Sequence, residues 1–134
     1  LSARFSVSFP KHLLEELEKI SRSEGISRSS LLQRAAEMYI VNTKWISSEG
    51  KVAGAIAIHY NHDVHGLEEK ITDIQHEFMD VIISALHIHL TEKNCMLIIA
   101  VKGDAERIKH LMTSISKLHG IKTSSFCSIS SDID

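Results

Sequence analysis

Between Gln75 and Cys95 the chain reads QHEFMDVIISALHIHLTEKNC, which brings three imidazoles and one thiol into a single short stretch. Imidazole nitrogens and a thiolate are the donor types that hold tetrahedral zinc or planar Ni(II) and Cu(II). His87-Ile88-His89 is a strand-type alternation. Residues two apart point to one face and lie about 6.6 Å apart along the backbone, near enough for both rings to reach one ion. Cys95 follows after a short turn. A hairpin register that pairs His89 with Cys95 puts all three groups on one face, and a slip of one residue sends the thiol to the other. The reading is a metal site that predicts its own register.

A helix and a sheet must position these groups. Leu67, Ile71, Ile74, Phe78, Val81 and Ala85 recur at spacings of three and four, which predicts a helix over residues 66–85 with its core face along that stripe. His76 lies on a second stripe with Thr72, Met79 and Ile83. A small domain seldom buries a helix on two faces, so this stripe predicts contact with another subunit, where His76 completes a site across the interface. Residues 52–60 read as a strand, 86–90 and 95–101 as the hairpin, 104–119 as a helix and 121–129 as a last strand. That order is βαββαβ, a ferredoxin-like antiparallel sheet with two helices on one face, whose other face calls for cover by a second subunit.

The first part of the chain has a different pattern. Phe5, Val7 and Phe9 alternate with Arg4, Ser6 and Ser8, which predicts one strand with a polar face. Pro10 suits a helix start, Leu13, Leu14, Leu17 and Ile20 give a short amphipathic helix ending near Gly25, and Ser27 is a candidate N-cap for a second. Strand-helix-helix in about forty-five residues has too little core to stand alone, and its single strand has unpaired edges. It is expected to dimerise through an antiparallel ribbon. The polar segment from Lys44 to Lys51 reads as the hinge, giving domains 1–45 and 52–134 with a linker at 46–51.

At 134 residues, 43% hydrophobic and 24% charged, the chain fits one or two small globular domains. No apolar run approaches a membrane span and no signal-peptide profile is present, so a cytoplasmic protein with free Cys95 and Cys127 is expected, without a membrane partner. The formal net charge of −2 does not favour nucleic acid. Its distribution matters more: residues 1–50 carry seven Lys/Arg against six Asp/Glu and residues 51–134 eight against eleven, which assigns any DNA contact to the first segment. Catalysis is not expected, because four protein ligands close a metal site and no carboxylate stands beside them as a base except Glu77. His59, His62 and His65 form a looser group that reads as surface histidines or extra ligands. His12, His110 and His119 read as structural or solvent-facing.

Residues 4–43 resemble the ribbon-helix-helix (βαα) DNA-binding domain. The resemblance implies that Arg4, Ser6 and Ser8 face base edges in the major groove, and that Ser27, Arg28 and Ser29 at the open end of the second helix meet a phosphate. Together with the spacing H-x10-H-x-H-x5-C, the segments VAGAIAIHYNHD and LHIHL, and the VKGD sequence, the whole chain resembles the nickel-responsive transcriptional regulator family, NikR. The fold implied is α+β, a ribbon-helix-helix followed by a ferredoxin-like, ACT-like βαββαβ domain. The resemblance implies a homotetramer, a dimer of dimers, binding double-stranded operator DNA. It also implies one Ni(2+) per subunit, held by His87, His89 and Cys95 of one chain and His76 of its neighbour. A repressor of nickel uptake is the output implied.

Three positions depart from the family pattern. Leu97 stands where a glutamate is common, and Ser30 and Arg34 stand where acids are common at the second helix. The first departure keeps cobalt, copper or zinc open as the sensed ion, and the ACT-like fold keeps an amino-acid sensor open. Because Cys95 must bind as a thiolate, metal uptake is expected to release a proton and weaken in acid.

Overall fold

The computed structural model describes residues 2–44 and 50–130. Two compact units divide the chain, Leu1–Tyr39 and Ile40–Asp134. Of the expected linker, residues 46–49 lie outside the described residues.

Helix α1 spans Lys11–Glu24 in the first unit, and helix α2 spans Arg28–Lys44, beginning in the first unit and running past its last residue, Tyr39. Pro10 precedes α1, and its carbonyl accepts from the N–H groups of Leu13 and Leu14 at 3.1 Å. Gly25 closes α1 at φ 66°, a left-handed conformation open to glycine at no steric cost. Ser27 caps α2 as expected, its Oγ accepting from Ser30 N–H at 3.1 Å. Residues 2–10 form no ladder, since the strand expected at 4–9 has no partner within one chain. No residue of α1 is buried, and Phe5 stays 89% exposed. Phe5, Val7, Phe9, Leu14, Leu17 and Leu32 line an open groove of 590 Å³. One copy of this unit therefore leaves its apolar stripe in water.

The second unit contains strand β1 (Lys51–Asn61), helix α3 (Leu67–Glu77), strands β2 (Ile82–His89) and β3 (Asn94–Asp104), helix α4 (Ala105–Ser116) and strand β4 (Ile121–Ser130). The sheet order is β2-β3-β1-β4, antiparallel throughout, as a βαββαβ chain requires. Val52, Ile56, Ile58 and Tyr60 of β1 and Cys95, Leu97, Ile99 and Val101 of β3 alternate inward. They form one core with Leu67 and Ile71 of α3 and Ile108, Leu111 and Ile115 of α4. Each such aliphatic side chain contributes about 1.5–3 kcal/mol on burial. The opposite sheet face keeps Leu86 58% and Ile129 76% exposed.

The helix expected over 66–85 is shorter, and this is a correction. It ends at Glu77, a turn occupies residues 78–81, and β2 begins at Ile82 instead of residue 86. Phe78 leaves helical geometry at φ −117° and ψ 27°, and its carbonyl accepts from Val81 and Ile82 N–H at 3.1 Å. Arg107 holds the turn by donating to both Asp80 oxygens at 2.8 and 3.0 Å and to the Glu77 carbonyl at 2.9 Å, with its guanidinium 4.2 Å from the centre of the Phe78 ring. Ladder pairing with β3, from Ile82↔Val101 to His89↔Cys95, outweighs the helical spacing of a short apolar run. Met79 and Ile83 are thus not helical, and the second stripe on α3 shrinks to Thr72 and His76.

Candidate metal centre

The β2–β3 register pairs His89 with Cys95 and His87 with Leu97, and the β1–β3 register pairs Tyr60 with Cys95. His89, Cys95 and Tyr60 therefore form one row across three strands, on the face that the helices cover. Thr91 Oγ1 fixes the hairpin turn by accepting from Asn94 N–H at 3.1 Å and from its side-chain amide at 3.0 Å. The expected register is the observed one.

Around this row the donors converge. Cys95 Sγ is buried and lies 3.5 Å from His89 Nδ1, and the rings of His87 and His89 are 4.9 Å apart. Three further residues join them that the spacing of the sequence did not single out as a group. His62 Nδ1 lies 3.7 Å from Cys95 Sγ and 3.0 Å from Glu68 Oε1. Tyr60 donates its hydroxyl hydrogen to Glu68 Oε1 at 3.1 Å and lies 2.9 Å from His87 Nε2. With that hydrogen committed to Glu68, the Tyr60 oxygen is left as an acceptor for His87 Nε2 in the tautomer that carries its hydrogen there. Hydrogen bonding of this kind fixes both the tautomer and the ring orientation of a ligand histidine.

Electrostatics follow from the same contacts. Burial, and then the bond to Glu68, raise the Tyr60 hydroxyl, so it stays a donor. Burial also acts to raise Glu68, but hydrogen bonds from Tyr60 and His62 and the fields of His62 and His87 outweigh it, leaving the carboxyl below its usual range. Burial pushes the Cys95 thiol up, the Glu68 charge adds to this, and the Tyr60 hydroxyl partly offsets it.

Among the described residues two groups each bring one ligand atom per residue within 4.8 Å of one another: His62, His89 and Cys95, and Glu68, His87 and Cys95. His76 is in neither. It sits exposed in the last turn of α3; Cys95 joins His89 in the first group and His87 in the second, and among the described residues no one group holds His87, His89 and Cys95 together. The histidine trio separates as well. His59 faces the other side of the sheet from Tyr60, its Nε2 3.0 Å from Asn94 Oδ1, while His65 is exposed and His62 alone joins the site. Leu97 is 5% exposed in the core, directly across from His87. The carboxylate that meets His87 belongs to Glu68, at 3.5 Å. Two imidazoles and a thiol from adjacent strands suit a divalent ion with nitrogen and sulfur ligands.

In the first unit, Arg4, Ser6 and Ser8 are exposed on the unpaired segment. Arg28 pairs with Glu18 at 3.2 Å, an exposed contact worth at most about 1 kcal/mol. Ser29 Oγ accepts from Gln33 at 3.4 Å. Among the described residues no helix is long and apolar enough to cross a membrane.

Two family models match this chain. Residues 3–43 match a ribbon-helix-helix protein of the copG family, and residues 53–129 match the NikR C-terminal nickel-binding domain. A Dictyoglomus thermophilum protein carrying the nickel-responsive regulator name is 49% identical over 120 residues, 89% of each chain. Its namesake from Methanocaldococcus jannaschii is 43% identical over 121 residues, covering 89% of this chain and 86% of that one. Among solved structures, the ACT domain from the GTP pyrophosphokinase of Chlorobium tepidum superposes with a TM-score of 0.50 at 18% identity, over 57% of this chain and 97% of that domain. An uncharacterized Thermotoga maritima protein gives 0.54 at 15% identity, over 60% of this chain and 99% of that one. These two likenesses show an ACT-like fold alone. Family models covering both halves, and relatives matched over 86–89% of their length, agree: the chain belongs to the nickel-responsive regulator family, a family of transcriptional regulators and not of enzymes.

Proposed function

We propose that this chain is a cytoplasmic repressor of nickel uptake whose operator binding is promoted by Ni(II). Residues 1–45 are its DNA-binding and dimerisation domain, 46–51 its linker and 52–134 its metal-binding and tetramerisation domain. One Ni(2+) per subunit is held by His87, His89 and Cys95 of one chain and His76 of its neighbour in a dimer of dimers. The observation that carries this reading is the His89↔Cys95 register, which sets His89 Nδ1 3.5 Å from Cys95 Sγ and places His87 on the same sheet face. His76, exposed on α3 and outside both donor groups of its own chain, is free to serve a neighbouring one. Ni(II) would be held by His87, His89 and Cys95 of one chain and His76 of its neighbour, and would thereby supply a link between two subunits.

In this reading Arg4, Ser6 and Ser8 read base edges from a two-stranded ribbon, and Ser27, Arg28 and Ser29 take a backbone phosphate. Pairing a second copy's segment with residues 4–9 would cover the exposed Phe5, Val7 and Phe9. Coupling between metal and DNA is reciprocal, so operator DNA tightens metal binding by the factor by which metal tightens DNA binding.

The test is an optical titration of the metal-free full chain with Ni(II), beside Cys95→Ala. A thiolate-to-nickel charge-transfer band that saturates at one ion per chain and is absent from the variant is the expected result. Selection of bound fragments from a random DNA pool, with and without Ni(II) at fixed salt, then reads the switch. Equal enrichment in both conditions refutes it. A second reading, the same regulator tuned to another divalent ion, is favoured by Leu97, which replaces a carboxylate beside His87 with core. Absence of the nickel band with a saturable cobalt or copper band would select it.

A further inference from the structure

Helix α3 reaches in two directions. His76, in its last turn, is exposed and outside both donor groups of its own chain, whereas Glu68, in its first turn, reaches back onto the sheet. One oxygen of Glu68 meets three side chains. Oε1 accepts from the Tyr60 hydroxyl at 3.1 Å and lies 3.0 Å from His62 Nδ1 and 3.5 Å from His87 Nε2. Tyr60 stands on β1, His62 on the loop that follows it, and His87 on β2. Two strands and a loop therefore converge on a single carboxylate of the helix that packs over them.

These contacts decide where hydrogens sit. At neutral pH a carboxylate only accepts, so the Tyr60 hydrogen points at Glu68 and not at His87. The Tyr60 oxygen, 2.9 Å from His87 Nε2, then accepts from that nitrogen in the tautomer that carries its hydrogen there, and Nδ1 is left with the lone pair that an ion requires. Metal-binding histidines are ordinarily oriented by such an acceptor behind the ring. Little else holds the His87 ring on the α3 side. A cavity of about 230 Å³ lies there, with Thr72 and Gln75 of α3 on one wall and Ala85 and His87 of β2 on the other. Across the ladder from His87 stands Leu97, which offers no polar atom.

We propose that Glu68 is a positioning residue of the metal centre, which acts through Tyr60 to fix the tautomer and ring orientation of His87 and ties both to the seat of α3. His76 lies eight residues further along the same helix, about 12 Å at 1.5 Å per residue. One helix thus sets a ligand in its own chain at its first turn and presents a ligand to a neighbouring chain at its last. The inference rests on the proposed function, which takes His87 and His76 as ligands.

The experiment is a titration of the full chain with Ni(II) against a chromophoric chelator, for the native protein, Glu68→Ala and Glu68→Gln. Loss of an outer partner costs about 10–100-fold in affinity, and Glu68→Ala should show a loss of that size. Glu68→Gln keeps an oxygen that accepts from Tyr60 and should recover most of it. The thiolate-to-nickel band at saturation should be native in Glu68→Gln and shifted in Glu68→Ala, a change that a merely structural role would not produce. Native affinity or a native spectrum in Glu68→Ala overturns the proposal. So does a Glu68→Gln protein as weak as Glu68→Ala, which would assign the effect to charge alone. The Glu68 side chain is 41% exposed, so its truncation opens no core cavity, and thermal melts of the metal-free variants check that the fold is kept. A native chain that gives no nickel band would refute the proposed function instead. The same three proteins are then compared with Co(II) or Cu(II), whichever gives a thiolate band, and the same order of affinities is expected.

Discussion

Cys95 Sγ lies 3.5 Å from His89 Nδ1, directly across the β2–β3 ladder. A turn of Thr91, Glu92 and Lys93, pinned by the Thr91 hydroxyl, holds that pair in register. The two donors are therefore organised by backbone pairing before any ion arrives, which lowers the ordering cost of binding.

Tyr60→Phe should keep the fold and weaken the metal site. The ring remains in the core, but the hydroxyl that links Glu68 to His87 is removed. Loss of an outer partner of a metal-binding histidine costs about 10–100-fold in affinity. Chelator competition with Ni(II) checks this, and an unchanged affinity would show that Tyr60 orients nothing.

Leu97→Ala should destabilise the metal-free protein by about 2–5 kcal/mol, the range for truncating a buried leucine. Leu97 packs in the core opposite Ile58 and His87, so the loss should appear in urea unfolding as a lower midpoint with an unchanged slope. A loss below about 0.5 kcal/mol, the usual ceiling for surface substitutions, would place Leu97 outside the core.

Asp80→Asn should reveal the clamp that ends α3, and only away from acid. Hydrogen bonds from Arg107 hold the Asp80 carboxyl below its usual value. A carboxylate with a depressed folded value adds stability above its unfolded value, about 3.9, and loses it as pH falls through the folded one. Melts of metal-free native and variant protein should differ at pH 6 and converge as the pH falls through the folded value. A difference independent of pH would assign the effect to packing and not to the ion pair.

Thermal unfolding of the full chain should depend on protein concentration. A folded state that requires a second copy gains stability by mass action. The exposed Phe5, Met38 and Tyr39 of the first unit and the open sheet face of the second both call for such a copy. A single melting temperature across a hundredfold dilution would show that one chain is self-sufficient.

Much of this was legible without coordinates, for identifiable reasons. The two-residue period of HIH put both rings on one face, and a five-residue gap to Cys95 left room for one tight turn, so the register followed from local geometry. Gly25 and Ser27 marked helix ends because left-handed backbone and side-chain capping are local requirements, satisfied within a few residues. Tertiary pairing decided the rest. Ile82, Ile83 and Ala85 carry a spacing compatible with a helix, and only the neighbouring β3 ladder, absent from any local window, makes them a strand. His62, Tyr60 and Glu68 stand on a loop, a strand and a helix, and nothing in their spacing says that they meet. What joins them to Cys95 and His87 is the antiparallel pairing of β1 with β3, which sets Tyr60 opposite Cys95, and the return of α3 over that face. Contacts between residues distant in sequence depend on how packed elements cross, and that is settled by burial of the whole core and not by any one segment.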